Sequence, residues 1–121
     1  MKALAFFSIF VAILLVCGKT IYAQDAVKIA PDIFKVILDN DKVRVLEVHV
    51  KPGQKIDMHS HPEYILYVLS DGKMTTTLPN GETTKASLKA GDIRWNEPII
   101  HGNENIGKTE MHALVIEMKT P

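Results

Sequence analysis

Past residue 23 this sequence contains no cysteine, since the only one in the chain is Cys17. A disulfide framework is excluded for everything downstream, so stability must come from packing, self-association or a bound ion. Charge of one sign is also lacking, because 14 basic side chains cancel 14 acidic ones. Without a basic patch to attract a polyanion, nucleic acid is excluded as a partner. Nor does any apolar run reach the roughly 20 residues that a membrane-spanning helix needs. The longest, Ala3 to Cys17, follows Lys2 and leads through Gly18 to the small residue Ala23. That order reads as an export signal cleaved after Ala23, which implies a periplasmic or secreted protein free of the membrane after cleavage. A lipoprotein signal ending at Cys17 and an uncleaved N-terminal anchor are the alternatives. Removing 23 of the 121 residues leaves 98, enough for one domain with a modest core. Lys2 and Lys19 leave with the signal, so 12 basic side chains face 14 acidic ones and the mature charge is −2.

What the chain does have, after a polar leader at residues 24–31, is a series of short runs rich in Val, Ile, Leu, Tyr and Thr. Turn residues separate them every 8 to 12 positions or so, the spacing of an all-β sandwich or barrel. Strands are expected near Phe34–Leu38, Val43–Val50, Ile56–His59, Tyr64–Leu69, Lys73–Leu78, Thr83–Leu88, Ile93–Asn96, Gly102–Asn105 and Glu110–Met118. None of these runs reads as a helix. Asn40-Asp41, Pro52-Gly53, Asp71-Gly72, Asn80-Gly81 and Gly91-Asp92 preset turns or accept positive φ. Asn80-Gly81 is the clearest hairpin signal, with a Thr-rich run on either side able to pair.

Histidine is where chemistry gathers. His59 and His61 are two apart, so in a strand both imidazoles point to one face. His101 follows about 40 positions later, where a hairpin-built barrel can return the chain to the same interior. Imidazole is a common ligand for zinc, copper, iron and nickel, and three protein ligands leave a coordination position open. Taken alone, a His-x-His pair on a surface strand is more simply two solvated histidines. His49 reads as an outward, solvated histidine and His112 as a packed or hydrogen-bonded one. Trp95 and Tyr67 suit barrel core or a dimer contact. Arg94 and Glu97 read as exposed charges near a turn, and Met58, Met74, Met111 and Met118 as core fillers.

The surroundings of the three histidines carry a resemblance. Gly53, His59, Ser60, His61, Ile65 and Gly72 are spaced as in the first signature motif of the cupin superfamily. Gly91, His101 and Asn105 resemble the second, with Pro98 displaced by one position and the expected glycine replaced near Ile99. The resemblance spans residues 32 to 119, and the 18 residues between Gly72 and Gly91 are similar to those of compact bacterial cupins. It implies an all-β fold, the cupin-type double-stranded β-helix or jelly-roll barrel, over residues 32–121, and a homodimer. It also implies a divalent metal ion, Fe, Zn, Mn, Ni or Cu, held by His59, His61 and His101. One ligand departs from the family pattern. A glutamate normally stands where Ile65 falls by strict count, or where Tyr64 falls if the count is anchored on Tyr67-Val68-Leu69. Glu63, in the loop after Pro62, is the candidate substitute. Two classes of function follow. One is metal-dependent chemistry of oxygenase or isomerase type on a small organic molecule inside the barrel. The other is a non-catalytic small-molecule-binding or structural dimeric cupin whose degenerate site holds no ion. No catalytic acid or base distinct from the ligands can be named.

Overall fold

Among the described residues, nine strands form where branched and aromatic residues alternate with polar ones. They are β1 (Phe34–Asp39), β2 (Val43–Val50), β3 (Lys55–His61), β4 (Tyr64–Val68), β5 (Gly72–Thr77), β6 (Thr83–Leu88), β7 (Ile93–Asn96), β8 (Ile99–Asn105) and β9 (Met111–Met118). The computed structural model describes residues 24–121. The export signal expected at residues 1–23 lies outside them. Among the described residues no helix is long and apolar enough to cross a membrane.

The strands make two antiparallel sheets, one ordered β1-β2-β9-β4-β7 and the other β3-β8-β5-β6. Period-two burial sets their inner faces. Along β9, Met111, Ala113, Val115 and Glu117 are buried while the residues between them are half-exposed. Leu46, Val48 and Val50 of β2 are buried likewise, and Ile56, Met74 and Leu88 close the core from the other sheet. Each such aliphatic side chain removed from water stabilises the fold by roughly 1.5–3 kcal/mol. Met74 and Met111 fill the core as expected, whereas Met58 and Met118 are only half-buried.

The hairpin at Asn80-Gly81 pairs β5 with β6 from Thr77↔Thr83 to Gly72↔Leu88. Gly81 N–H donates to the Leu78 carbonyl (2.9 Å) and Leu78 N–H to the Glu82 carbonyl (2.8 Å). Gly81 has φ +89°, the left-handed residue that ends a three-residue hairpin loop.

Two features depart from the sequence reading. Residues 24–31 are built into the domain: Ala26–Ile29 form one helical turn, α1, with Ala26 fully buried. Asp25 bridges to Ser60, and the Ser60 N–H donates to the Gln24 carbonyl, which covers the edge of β3. Trp95 is no part of the core. It is 56% exposed on the edge strand β7, whose inner face carries Arg94 and Asn96 instead.

Candidate metal centre

Strand β3 reaches the interior through an irregularity. Ile56 is opposite Asn103 of β8 and His59 is opposite His101, so three steps along β3 match two along β8. The extra residue is a β-bulge, and it changes which residues face inward. Strict alternation from the buried Ile56 would turn Met58 and Ser60 toward the core. After the bulge His59 and His61 are buried instead. Gly102 accommodates it, since a Cβ there would stand 3.1 Å from the Ile56 carbonyl oxygen. His59, His61 and His101 thus converge, with one ring nitrogen from each lying within 4.8 Å of the others. Such atoms can meet one ion through bonds of about 2.0–2.1 Å after small ring rotations.

The rings are held from behind. His59 Nδ1–H donates to the Asp57 carbonyl of the bulge (2.7 Å), and His61 Nδ1–H donates to Glu117 Oε2 (2.8 Å). Both bonds fix the proton on Nδ1 and leave Nε2 as the lone-pair atom. Glu117 is 2% exposed on the inner face of β9, opposite Arg44 of β2 and Tyr64 of β4. Arg44 Nε donates to Glu117 Oε1 (2.7 Å) and its guanidinium also holds Asp25. Burial alone would raise the Asp25 pKa, but the hydrogen bond and charge of Arg44 bring it below its ordinary value. The hydrogen bond to Asp25 in turn raises the Arg44 pKa further. A charged row therefore runs from Asp25 through Arg44 and Glu117 to His61. Sequence reasoning missed this row, because its members are scattered along the chain and only sheet register brings them together.

Burial pushes the His59 pKa down to about 4, with the neighbouring His61 adding to the shift. It pushes His101 down to about 3, with His59 and His61 contributing. Two of the three rings are thus kept neutral, the form that binds metal. His59 Nε2 and His101 Nδ1 are buried without a hydrogen-bond partner. Buried imidazole nitrogens left bare cost free energy, and a cation beside them would remove that cost. The donor set fits a divalent ion of the zinc, iron, nickel or copper type.

Of the two places the motif gives for the missing glutamate, only Tyr64 faces inward. It is buried, with its ring centroid 4.9 Å from that of His61, and burial raises its hydroxyl pKa to about 12. Ile65, next in the strand, turns to the other face beside Trp95 and Ile116. Glu63 is outside the histidine group, and its carbonyl accepts from the Met118 N–H (2.8 Å). The carboxylate that does approach the centre is Glu117, one hydrogen bond behind His61. Asn105, which closes the second motif, is a structural clamp: its buried Nδ2 donates to the Val50 and Thr109 carbonyls (2.8 and 2.9 Å).

His61 and His101 open onto a cavity of about 300 Å³ between the sheets. Its wall is mainly apolar, with Phe34, Met74 and Val115, and carries polar groups from Arg94, Asn96 and Asn103. Glu97 is exposed and Tyr67 half-buried. His49 and His112 lie outside the barrel on the opposite face of the larger sheet.

No family profile matches the sequence, and no curated protein does. Solved structures do match. A cupin domain from Bordetella pertussis Tohama I superposes with a TM-score of 0.68 at 26% identity, over 81% of this chain and 97% of that one. An uncharacterized conserved protein with a double-stranded β-helix domain, from Klebsiella pneumoniae subsp. pneumoniae MGH 78578, is 32% identical over 71% of this chain and 75% of that one, with a TM-score of 0.59. A cupin-like protein from Thermotoga maritima MSB8 shares the fold at 24% identity and a TM-score of 0.56, over 72% of this chain and 68% of that one.

Proposed function

This chain belongs to the cupin superfamily, and on that premise we propose that it binds a divalent metal ion through His59, His61 and His101 and a small organic molecule in the adjoining cavity. The observation that carries the reading is the pair of bare, buried nitrogens, His59 Nε2 and His101 Nδ1, within a group of three converging imidazoles. When bound, such an ion supplies Lewis acidity and an open coordination position. The chain's own residues do the rest. The Asp57 carbonyl and Glu117 each hold a proton at Nδ1, of His59 and His61 respectively. Glu117 also offsets, from behind His61, the cationic charge that three neutral ligands leave unbalanced. The apolar wall excludes water, while Arg94, Asn96 and Asn103 supply directional contacts for a polar or anionic group on the ligand. Oxygenase- or isomerase-type chemistry on that ligand belongs to the same reading.

Export and self-association complete it. The order of residues 1–23 supports a periplasmic or secreted protein. Ile93 and Trp95, 69% and 56% exposed on the edge strand β7, support a homodimer. The test is elemental analysis of the protein purified without chelator. At least one divalent ion per chain is expected, with one equivalent lost in His101→Ala together with the thermal stabilisation that this ion gives. Absence of metal from the wild type, with no melting shift on adding zinc, iron, nickel or copper, would sink the proposal.

A further inference from the structure

The outer face of the larger sheet carries a second group of histidines and carboxylates that the barrel reading does not use. His49 of β2 and His112 of β9 are directly opposite in register. Their rings stack with centroids 4.0 Å apart and planes 17° from parallel. Glu47, two residues before His49 on the same face of β2, stands beside both rings. Its Oε2 is 3.1 Å from His112 Nε2 and its Oε1 is 3.7 Å from His49 Nε2. Glu110 approaches from the other side, with Oε1 2.9 Å from His49 Nδ1. The Nε2 atoms of both histidines and the carboxylate of Glu47 therefore converge, while Glu110 holds the far nitrogen of His49.

The protonation states implied by these contacts leave a gap. A carboxylate can only accept, so His49 Nδ1 carries the proton given to Glu110. In the neutral ring Nε2 then bears a lone pair, and it faces Glu47 Oε1, a second lone-pair atom, across 3.7 Å. His112 Nε2, 3.1 Å from Glu47 Oε2, carries the proton of that contact in the metal-free chain, and an ion bound there would displace it and join the Glu47 carboxylate to the Nε2 lone pairs of both rings. Glu110 behind His49 has the relation to its ring that Glu117 has to His61, the carboxylate–histidine pairing that orients a metal ligand and raises its basicity. The side chains are 32–48% exposed, so an ion reaches them from solvent without opening the barrel.

We propose that Glu47, His49 and His112 form a second, solvent-facing metal site, with Glu110 positioning His49. Two imidazoles and one carboxylate select a borderline divalent transition ion, Zn²⁺, Ni²⁺ or Cu²⁺, over Mg²⁺ or Ca²⁺, which prefer all-oxygen ligands. The open side leaves room for water or an exchanging ligand. The site stands on the opposite face of the sheet from the barrel centre and does not depend on it.

Zinc titration of the full metal-free chain by calorimetry tests this, run beside His49→Ala and Glu110→Gln, with ring ¹⁵N shifts as the second readout. His49→Ala is expected to bind one zinc fewer than the wild type, whatever number the barrel holds. Glu110→Gln keeps the equivalent but weakens it about 10- to 100-fold. Zinc should also move the His112 ring resonances of the wild type. A His101→Ala chain separates the two sites, since it should lose the barrel equivalent and keep this one. Equal stoichiometry in wild type and His49→Ala, with the His49 and His112 resonances unmoved by zinc, overturns the proposal and leaves a proton on His49 Nε2 as the occupant of the gap.

Discussion

His59 and His101 are opposed across β3 and β8, and their burial couples stability to pH. Their folded-state pKa values of about 4 and about 3 lie below the ordinary 6.5. Between those values the unfolded chain binds more protons than the folded one, so the stabilisation is fully present above about pH 6.5 and is lost as pH falls. At pH 5 the loss amounts to about 2 kcal/mol for each histidine. Urea unfolding of the metal-free chain should therefore show a clearly lower midpoint at pH 5.0 than at pH 7.5; equal midpoints would contradict the burial argument. Glu117 is the other residue on which the centre turns. Glu117→Gln keeps the shape but removes the charge behind His61, and metal affinity should fall about 10- to 100-fold with the fold retained. Glu117→Ala also leaves the His61 Nδ1–H without its acceptor and Arg44 with Asp25 alone, and should cost about 1–3 kcal/mol of stability. Metal affinity unchanged in Glu117→Gln would mean that the carboxylate acts only in packing.

At the scale of elements, the centre depends on the bulge in β3. The bulge needs an unobstructed neighbour, and β8 provides it at Gly102, where a Cβ would lie 3.1 Å from the Ile56 carbonyl. Gly102→Ala forces that backbone to give by a few tenths of an ångström, next to His101 and opposite the bulge. A loss of about 1–3 kcal/mol is expected, measured by chemical denaturation. Metal affinity should decline with it, because the Asp57 carbonyl that orients His59 belongs to the same distortion. A variant as stable as the wild type, with full metal affinity, would show that the bulge is not held by this contact. The turn α1 and residues 24–25 lie on the other side of β3, so the strand that carries His59 and His61 is fixed from both edges.

For the whole molecule, the apolar side chains left on the outside are as telling as the core. On β7 the usual arrangement is inverted: Ile93 and Trp95 face out, whereas Arg94 and Asn96 line the cavity. A short edge strand with that pattern suits an interface on one face and a polar ligand contact on the other. If the homodimer forms there, Trp95→Glu should shift the sedimenting species from dimer to monomer while the circular dichroism spectrum stays unchanged. A wild-type chain that sediments as a monomer at high micromolar concentration would remove β7 as an interface.

All nine strands stand within a few residues of where alternation and turn chemistry put them, because side-chain period and glycine placement are local properties that a single strand expresses by itself. The three histidines were legible for the same reason, through their spacing within recognisable motifs. What surrounds them was not. Alternation counted from Ile56 puts His59 on the wrong face, and only the mismatch of register with β8 turns it inward. Asp25, Arg44 and Glu117 read as three unrelated charges until the sheet aligns them behind His61. His49 and His112, read singly as bland histidines, become neighbours only because β2 and β9 pair in one register. The sequence by itself determined the strands, the turns and the identity of the candidate site histidines, since those follow from local sterics and chemistry. Tertiary structure alone decided which of them meet, because strand register and the bulge arise from pairing between segments far apart in the chain.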